Sequence, residues 1–96
     1  MTVLDEIAAK RQHQISKGYD AAHDDQHAGG EIALGAAAYA MSAAKHPGPG
    51  KTQTPVWVPP VWPWDREQFS PREPRDDLID AAAMIVAEIE RLDRLP

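Results

Sequence analysis

The chain has 96 residues, 15 acidic against 10 basic, a net charge of -5 and no cysteine. That length supplies one small domain, residues 1–96, and the missing cysteine excludes disulfides and thiolate metal sites. The acidic balance argues against direct nucleic-acid binding, which needs clustered Lys and Arg, though a local pocket on an acidic protein can still hold a small anion. No apolar run reaches membrane-spanning length, and the opening MTVLDEIAAKRQ carries acids where a secretory signal carries bases. The expectation is a cytoplasmic protein with no membrane contact. A chain this short buries a modest share of its surface, so a homo-oligomer is expected to complete the packing.

A first helix is predicted over 2–17. Thr2 and Asp5 have capping-box spacing, Leu4, Ile7, Ala8 and Ile15 share a face, and Gly18 suits a left-handed C-terminal cap. The stretch HDDQHAGGE at 23–31 follows. A second helix, about 31–45, is rich in alanine, the best helix former. Gly35, Ala36, Ala40, Ala43 and Ala44 leave room for a close neighbour. HPGPG at 46–50 ends it. Residues 46–74 hold eight of the nine prolines, all three tryptophans and the only phenylalanine. Proline excludes helix there, and the aromatics exclude ordinary disorder. An extended, polyproline-like strap is expected, stapling the helices or lining a pocket. SPRE at 70–73 has capping-box form, with Ser70 as the cap, ahead of a third helix at about 75–94. There Leu78, Ala82, Ile85, Ile89 and Leu92 recur at spacings of four and three, a heptad-like stripe. The fold class is therefore all-α, three main helices with a Trp/Pro strap between the second and third.

Three chemistries compete for the polar residues. His23 and His27 stand four apart, as zinc ligands on a helix do. Asp24 is shorter than the glutamate such sites use as a base, and Gly29 and Gly30 break the helix at once. The plainer alternative is that Asp24 or Asp25 caps a helix and the histidines are exposed. A divalent ion on Asp24, Asp25 and Glu31, with Asp77 and Asp80 facing them, would suit a metal-dependent nucleotide hydrolase. The second chemistry is ligand capture. Tyr19, Tyr39, Trp57, Trp62 and Trp64 offer faces on which a base can stack. Arg11, Lys17, Arg72 and Arg75 are candidate phosphate holders, helped by backbone donors at Gly29 and Gly30. His23, Asp24, Asp25 and His27 would bond sugar or base edges. The third is an acidic face of Asp76, Asp77, Asp80, Glu88 and Glu90 that covers a basic groove on another protein.

The blocks RQHQISKGYDAAHDDQHAGGEIALGAAAYA, WPWDREQF and RDDLIDAAAMIVAEIERLD resemble, in order, a small helical domain that recurs in phage and prophage proteins. That resemblance implies a phage or mobile-element origin and brings no settled activity. A further likeness is to the ryanodine-receptor repeat domain. It rests on His46, Pro47, Pro63, Trp64, Asp65 and the helix from Arg75, with longer spacing between HP and PWD here. It implies a nucleotide-derived ligand, as for some bacterial members of that family. Together these readings lead to an expectation: a phage-borne binding protein without turnover or cofactor. It would sequester a small nucleotide-type signalling ligand in the host cell and so counter host defence. The alternatives are an anti-CRISPR-like acidic inhibitor of a host defence protein and the metal-dependent hydrolase.

Overall fold

In the computed structural model, which describes residues 1–50 and 55–96, the chain is all-α. Its helices are α1 (Val3–Ser16), α2 (Ala21–Asp24), α3 (Glu31–Lys45) and α4 (Pro74–Asp93), with a 3₁₀ turn at Arg66–Gln68 before α4. No strand occurs among the described residues. No helix among them is long and apolar enough to cross a membrane. Four residues of the expected strap, 51–54, lie outside the described residues.

α1 begins at a true capping box. The Thr2 hydroxyl accepts the Asp5 N–H at 3.1 Å, and the Asp5 carboxylate accepts the Thr2 N–H at 3.0 Å. It ends at Gly18, whose φ of 103° only glycine adopts without strain. The Tyr19 N–H then reaches Gln14 O and the Gly18 N–H reaches Ile15 O, a Schellman closure. The chain turns there and Asp20 caps α2, its carboxylate accepting the His23 N–H. This corrects the expected caps: neither Asp24 nor Asp25 caps a helix N-terminus, and Asp25 stands at the C-terminal cap of α2. α3 starts at Gly30, with no side-chain cap.

α3 and α4 form the centre. Ala36, Ala38, Ala43, Ala81, Ala83 and Ala87 are buried between and beside them, and these small side chains let the helix axes approach. The strap closes over this pair. Pro59 is fully buried, and Val58, Val61 and Trp62 pack on Ala36, Tyr39, Phe69 and Ala81. The SPRE box does not form. Pro74 takes the first position of α4 and Glu73 the cap, without a side-chain bond. The Ser70 N–H instead donates to the Tyr39 hydroxyl at 3.2 Å. Asp77, 1% exposed, accepts the Arg72 N–H at 2.7 Å and pins the end of the strap to α4.

α1 is held differently. Its one buried residue is Arg11, and Leu4 is 77% exposed. The attachment is ionic. Arg11 bonds Asp24 Oδ2 at 3.0 Å, Glu90 Oε1 at 3.1 Å and Tyr19 O at 2.9 Å, joining α1, α2 and α4. Lys10 meets Asp80 at 3.0 Å, Glu6 pairs with Arg75, and Arg94 ties α4 to Asp25 at 2.7 Å. The pairs at Arg75 and Arg94 are exposed and worth little each. The Arg11–Asp24 pair is not, since both side chains are over nine-tenths buried.

A buried ion pair adds little over an apolar pair, but removing one partner costs about 3–5 kcal/mol. Arg11→Met is therefore expected to lower the melting temperature by roughly 10–20 °C, with loss of α1 helicity by circular dichroism. Arg11→Met combined with Asp24→Leu should recover most of that loss. Equal melting curves for the wild type and Arg11→Met would show that α1 is held by something else.

Candidate functional site

An open cleft of about 910 Å³ lies between α1, α2, the strap and one face of α4. A line of rings runs along it. Tyr19 meets His23 at 5.0 Å between centroids, His23 meets His27 at 4.9 Å, His27 meets Trp64 at 5.5 Å and Trp64 meets Trp62 at 5.1 Å. Trp62 continues into Tyr39 and Phe69 at 5.7 and 4.9 Å. The contacts are edge-to-face or tilted, the geometry ring quadrupoles favour. Trp62 is also fixed by its indole N–H, which donates to Asp65 O at 2.9 Å.

Trp64 depends on a glycine. A Cβ at Gly35 would lie 2.7 Å from the Trp64 ring and 2.6 Å from Met84 Cε. The indole lies against bare α3 backbone, which a rigid ring could not do beside alanine. Burial raises the Tyr39 hydroxyl above its usual value, against the Ser70 N–H that lowers it. Tyr39 stays a neutral acceptor for the strap.

The charged wall has two parts. In the first, every charge is committed. Asp80, 8% exposed, receives Arg72 at 3.1 and 3.2 Å and Lys10 at 3.0 Å. Asp24 receives Arg11, and its other oxygen lies 3.0 Å from His23 Nδ1. The second part is the α1 rim. There Lys17, His13 and Gln14 line the cleft, and among the described residues their side chains make no hydrogen bond or ion pair. A ligand meeting this cleft finds fixed rings on one side and unpaired donors on the other.

Ten of the candidate ligand-binding residues come together here: Arg11, Lys17, Tyr19, His23, Asp24, His27, Tyr39, Trp62, Trp64 and Arg72. Three of these need a changed role. The Arg11 guanidinium is spent on Asp24, Glu90 and Tyr19 O. Asp24 is its counter-charge, and Tyr39 and its hydroxyl belong to the core. Asp25 and Arg75 are not in the cleft. They pair with Arg94 and Glu6. Trp57 also lies elsewhere, its ring 4.3 Å from the Lys45 ammonium. At the start of α3 Ile32 lines the cleft but Gly29 and Gly30 do not, and the Glu31 carboxylate folds back over Gly29. Its own backbone N–H, then His27 and the Gly29 N–H, hold that carboxyl below its usual range, so those backbone donors are already taken.

The ion set Asp24, Asp25 and Glu31 is not assembled. Each carboxylate faces a different side chain, Arg11, Arg94 and the His27 ring. Among the described residues no three His, Asp or Glu side chains converge. Of the acidic face, Asp77 and Asp80 are buried, and Glu88 and Glu90 pair with Arg91 and Arg11. Sequence reasoning passed over Lys10, His13 and Gln14 as cleft residues. A helix spacing from Lys10 through His13 and Gln14 to Lys17 was the available signal.

Set against protein-family models, curated proteins and solved structures, the chain matches none.

Asp77 gives a pH test of this wall. Burial, the largest cause, pushes its carboxyl above the ordinary value, with the Arg72 N–H opposing and Asp80 assisting. The fold therefore holds a proton on Asp77 at a pH where the unfolded chain has lost it. Stability contributed by that proton falls as pH rises from about 4. Asp77→Asn keeps an oxygen for the Arg72 N–H and has no charge to bury. Its urea midpoint is expected to equal or exceed the wild type at pH 7, with the gap closing as pH falls toward 4. A gap that widens on acidification would overturn this account.

Proposed function

We propose that the protein is a non-enzymatic binding protein whose cleft captures a small nucleotide-type ligand. The observation that carries this reading is the pairing of a fixed ring line with the unpaired Lys17, His13 and Gln14 in one cleft. A nucleotide has a flat base and an anionic phosphate, and the two walls match those two ends. Base–aromatic stacking contributes about 1–3 kcal/mol per base, and an ammonium on a phosphate adds a charge-assisted bond. The volume of about 910 Å³ falls within the range of small-molecule sites and leaves space for a dinucleotide as well as a mononucleotide. Trp64, His27 and Tyr19 would stack the base. Lys17 would hold phosphate, and His23 would bond a sugar or base edge.

The wider role is part of the same proposal. A phage-borne protein in the host cell that sequesters a nucleotide-type signal without consuming it would blunt a host defence response. The support is the phage-domain resemblance together with a cleft whose carboxylates, Asp24 and Asp80, are tied to Arg11, Lys10 and Arg72 rather than grouped for catalysis.

The test is calorimetric titration and native mass spectrometry against mononucleotides and linear and cyclic dinucleotides. Trp64→Ala is expected to weaken capture about 10–100-fold, with helicity retained, and Lys17→Ala to weaken phosphate-bearing ligands only. Gly35→Ala should weaken capture by displacing the Trp64 ring. Arg75→Ala, outside the cleft, should leave it unchanged. Undiminished binding by Trp64→Ala, accompanied by a lower melting temperature, would make Trp64 a core residue and remove the main support. Conversion of the ligand to product would replace capture with hydrolysis.

A further inference from the structure

α4 carries two faces, and the chain uses only one. The inner face holds Asp77, Asp80, Ala81, Ala87 and Arg91, all buried. Roughly opposite, at about 100° per residue, stand Leu78, Ile85, Ile89 and Leu92, which are 52%, 50%, 52% and 51% exposed. With Ala82 they keep the four-and-three spacing of a coiled-coil seam. Nothing in the described chain covers it. Beside the seam, between α3 and α4, lies an apolar groove of about 320 Å³. Its α3 wall is alanine, at 33, 36, 37 and 40, and its α4 rim is Ile85 and Ile89 with Glu88, whose carboxylate is held by Arg91.

We infer that this face is the contact for a second copy of the chain, with the two α4 helices antiparallel across a twofold axis near the middle of the seam. Three observations select that occupant. The first is self-complementarity. Projecting aliphatic side chains and a small-walled groove that would receive them lie next to each other on one patch, as an interface between identical surfaces requires. The second is charge. An antiparallel pair opposes the two α4 dipoles, setting the Pro74 end of one helix against the Asp93 end of the other, whereas a parallel pair would align the dipoles and bring like ends together. The third is extent. Leu78 to Leu92 spans about 21 Å of helix, and with the adjoining face of α3 the strip is about 20 Å wide. That is about 420 Å² in projection, about half of the roughly 800 Å² each partner gives to a standard stable interface, so the dimer is a weak, concentration-dependent one. The cleft lies on the inner side of α4, so each copy would keep its own site open.

The experiment uses the full chain over a concentration series in sedimentation equilibrium, then single-cysteine variants, which are clean because the protein has no cysteine. A dimer is expected, and Ile89→Glu should turn it into a monomer with unchanged helical circular dichroism, since half of that side chain already faces water. Ala37→Trp, which fills the groove, should do the same by a steric route. A short bis-maleimide should link Leu78→Cys to Leu92→Cys in a mixture of the two proteins and should not link Leu78→Cys to itself. A wild-type monomer at high concentration would overturn the inference. So would a dimer untouched by both Ile89→Glu and Ala37→Trp, or self-linking of Leu78→Cys with no linking in the mixture.

Discussion

The structure depends on one buried guanidinium. Arg11 is the only buried residue of α1, and its three bonds reach α2, α4 and the turn between α1 and α2. Apolar contact offers little in its place. The large side chains buried in the core are Ile32, Tyr39 and Phe69, each contributing roughly 1.5–3 kcal/mol, and none belongs to α1. A lost partner for Asp24 is therefore comparable to the loss of a whole core side chain. It also opens the cleft, since α1 supplies the wall with the unpaired donors. Stability and the site's geometry rest on the same ion pair.

Small residues do the complementary job on the other side. Alanines between α3 and α4 shorten the distance between helices, and the bare backbone at Gly35 admits the Trp64 ring. The strap can then run flat across the pair. Pro59 and Phe69 are buried as its anchors, and the Tyr39 hydroxyl and the Asp77 carboxylate take the N–H groups of Ser70 and Arg72. Prolines supply few donors of their own, so a proline-rich segment needs few such acceptors. That is why two buried acceptors suffice to fix the end of the strap and, with it, the ring line.

The three long helices were legible to within a residue or two, because capping chemistry and periodicity are local. The Thr2–Asp5 box and the closure at Gly18 formed as their residues imply. α2 was missed, since four residues carry no period. Ser70 was read as a cap because its four-residue motif is local, while its actual partner, Tyr39, is 31 residues away. Most cleft residues were recognised as a set by type, aromatic or cationic. Their roles were not, because pairing is non-local. Nothing near Arg11 in sequence announces Glu90, and nothing near Arg75 announces Glu6.

The hardest feature to read was the orientation of α4. By hydrophobicity its aliphatic stripe belongs inside and its acids outside, yet the chain buries Asp77 and Asp80 and leaves Leu78, Ile85, Ile89 and Leu92 half exposed. The reason is reach. The inner side of α4 must meet α1, held by Lys10 and Arg11, and the strap, which presents Arg72 and its N–H. Short acids there meet those donors; leucine there would leave the donors unsatisfied. Once the acids are turned inward, the aliphatic residues face out as a consequence of the helical period. The cleft wall and the uncovered seam are thus two sides of one constraint, set by which partners the first two turns of α4 must satisfy.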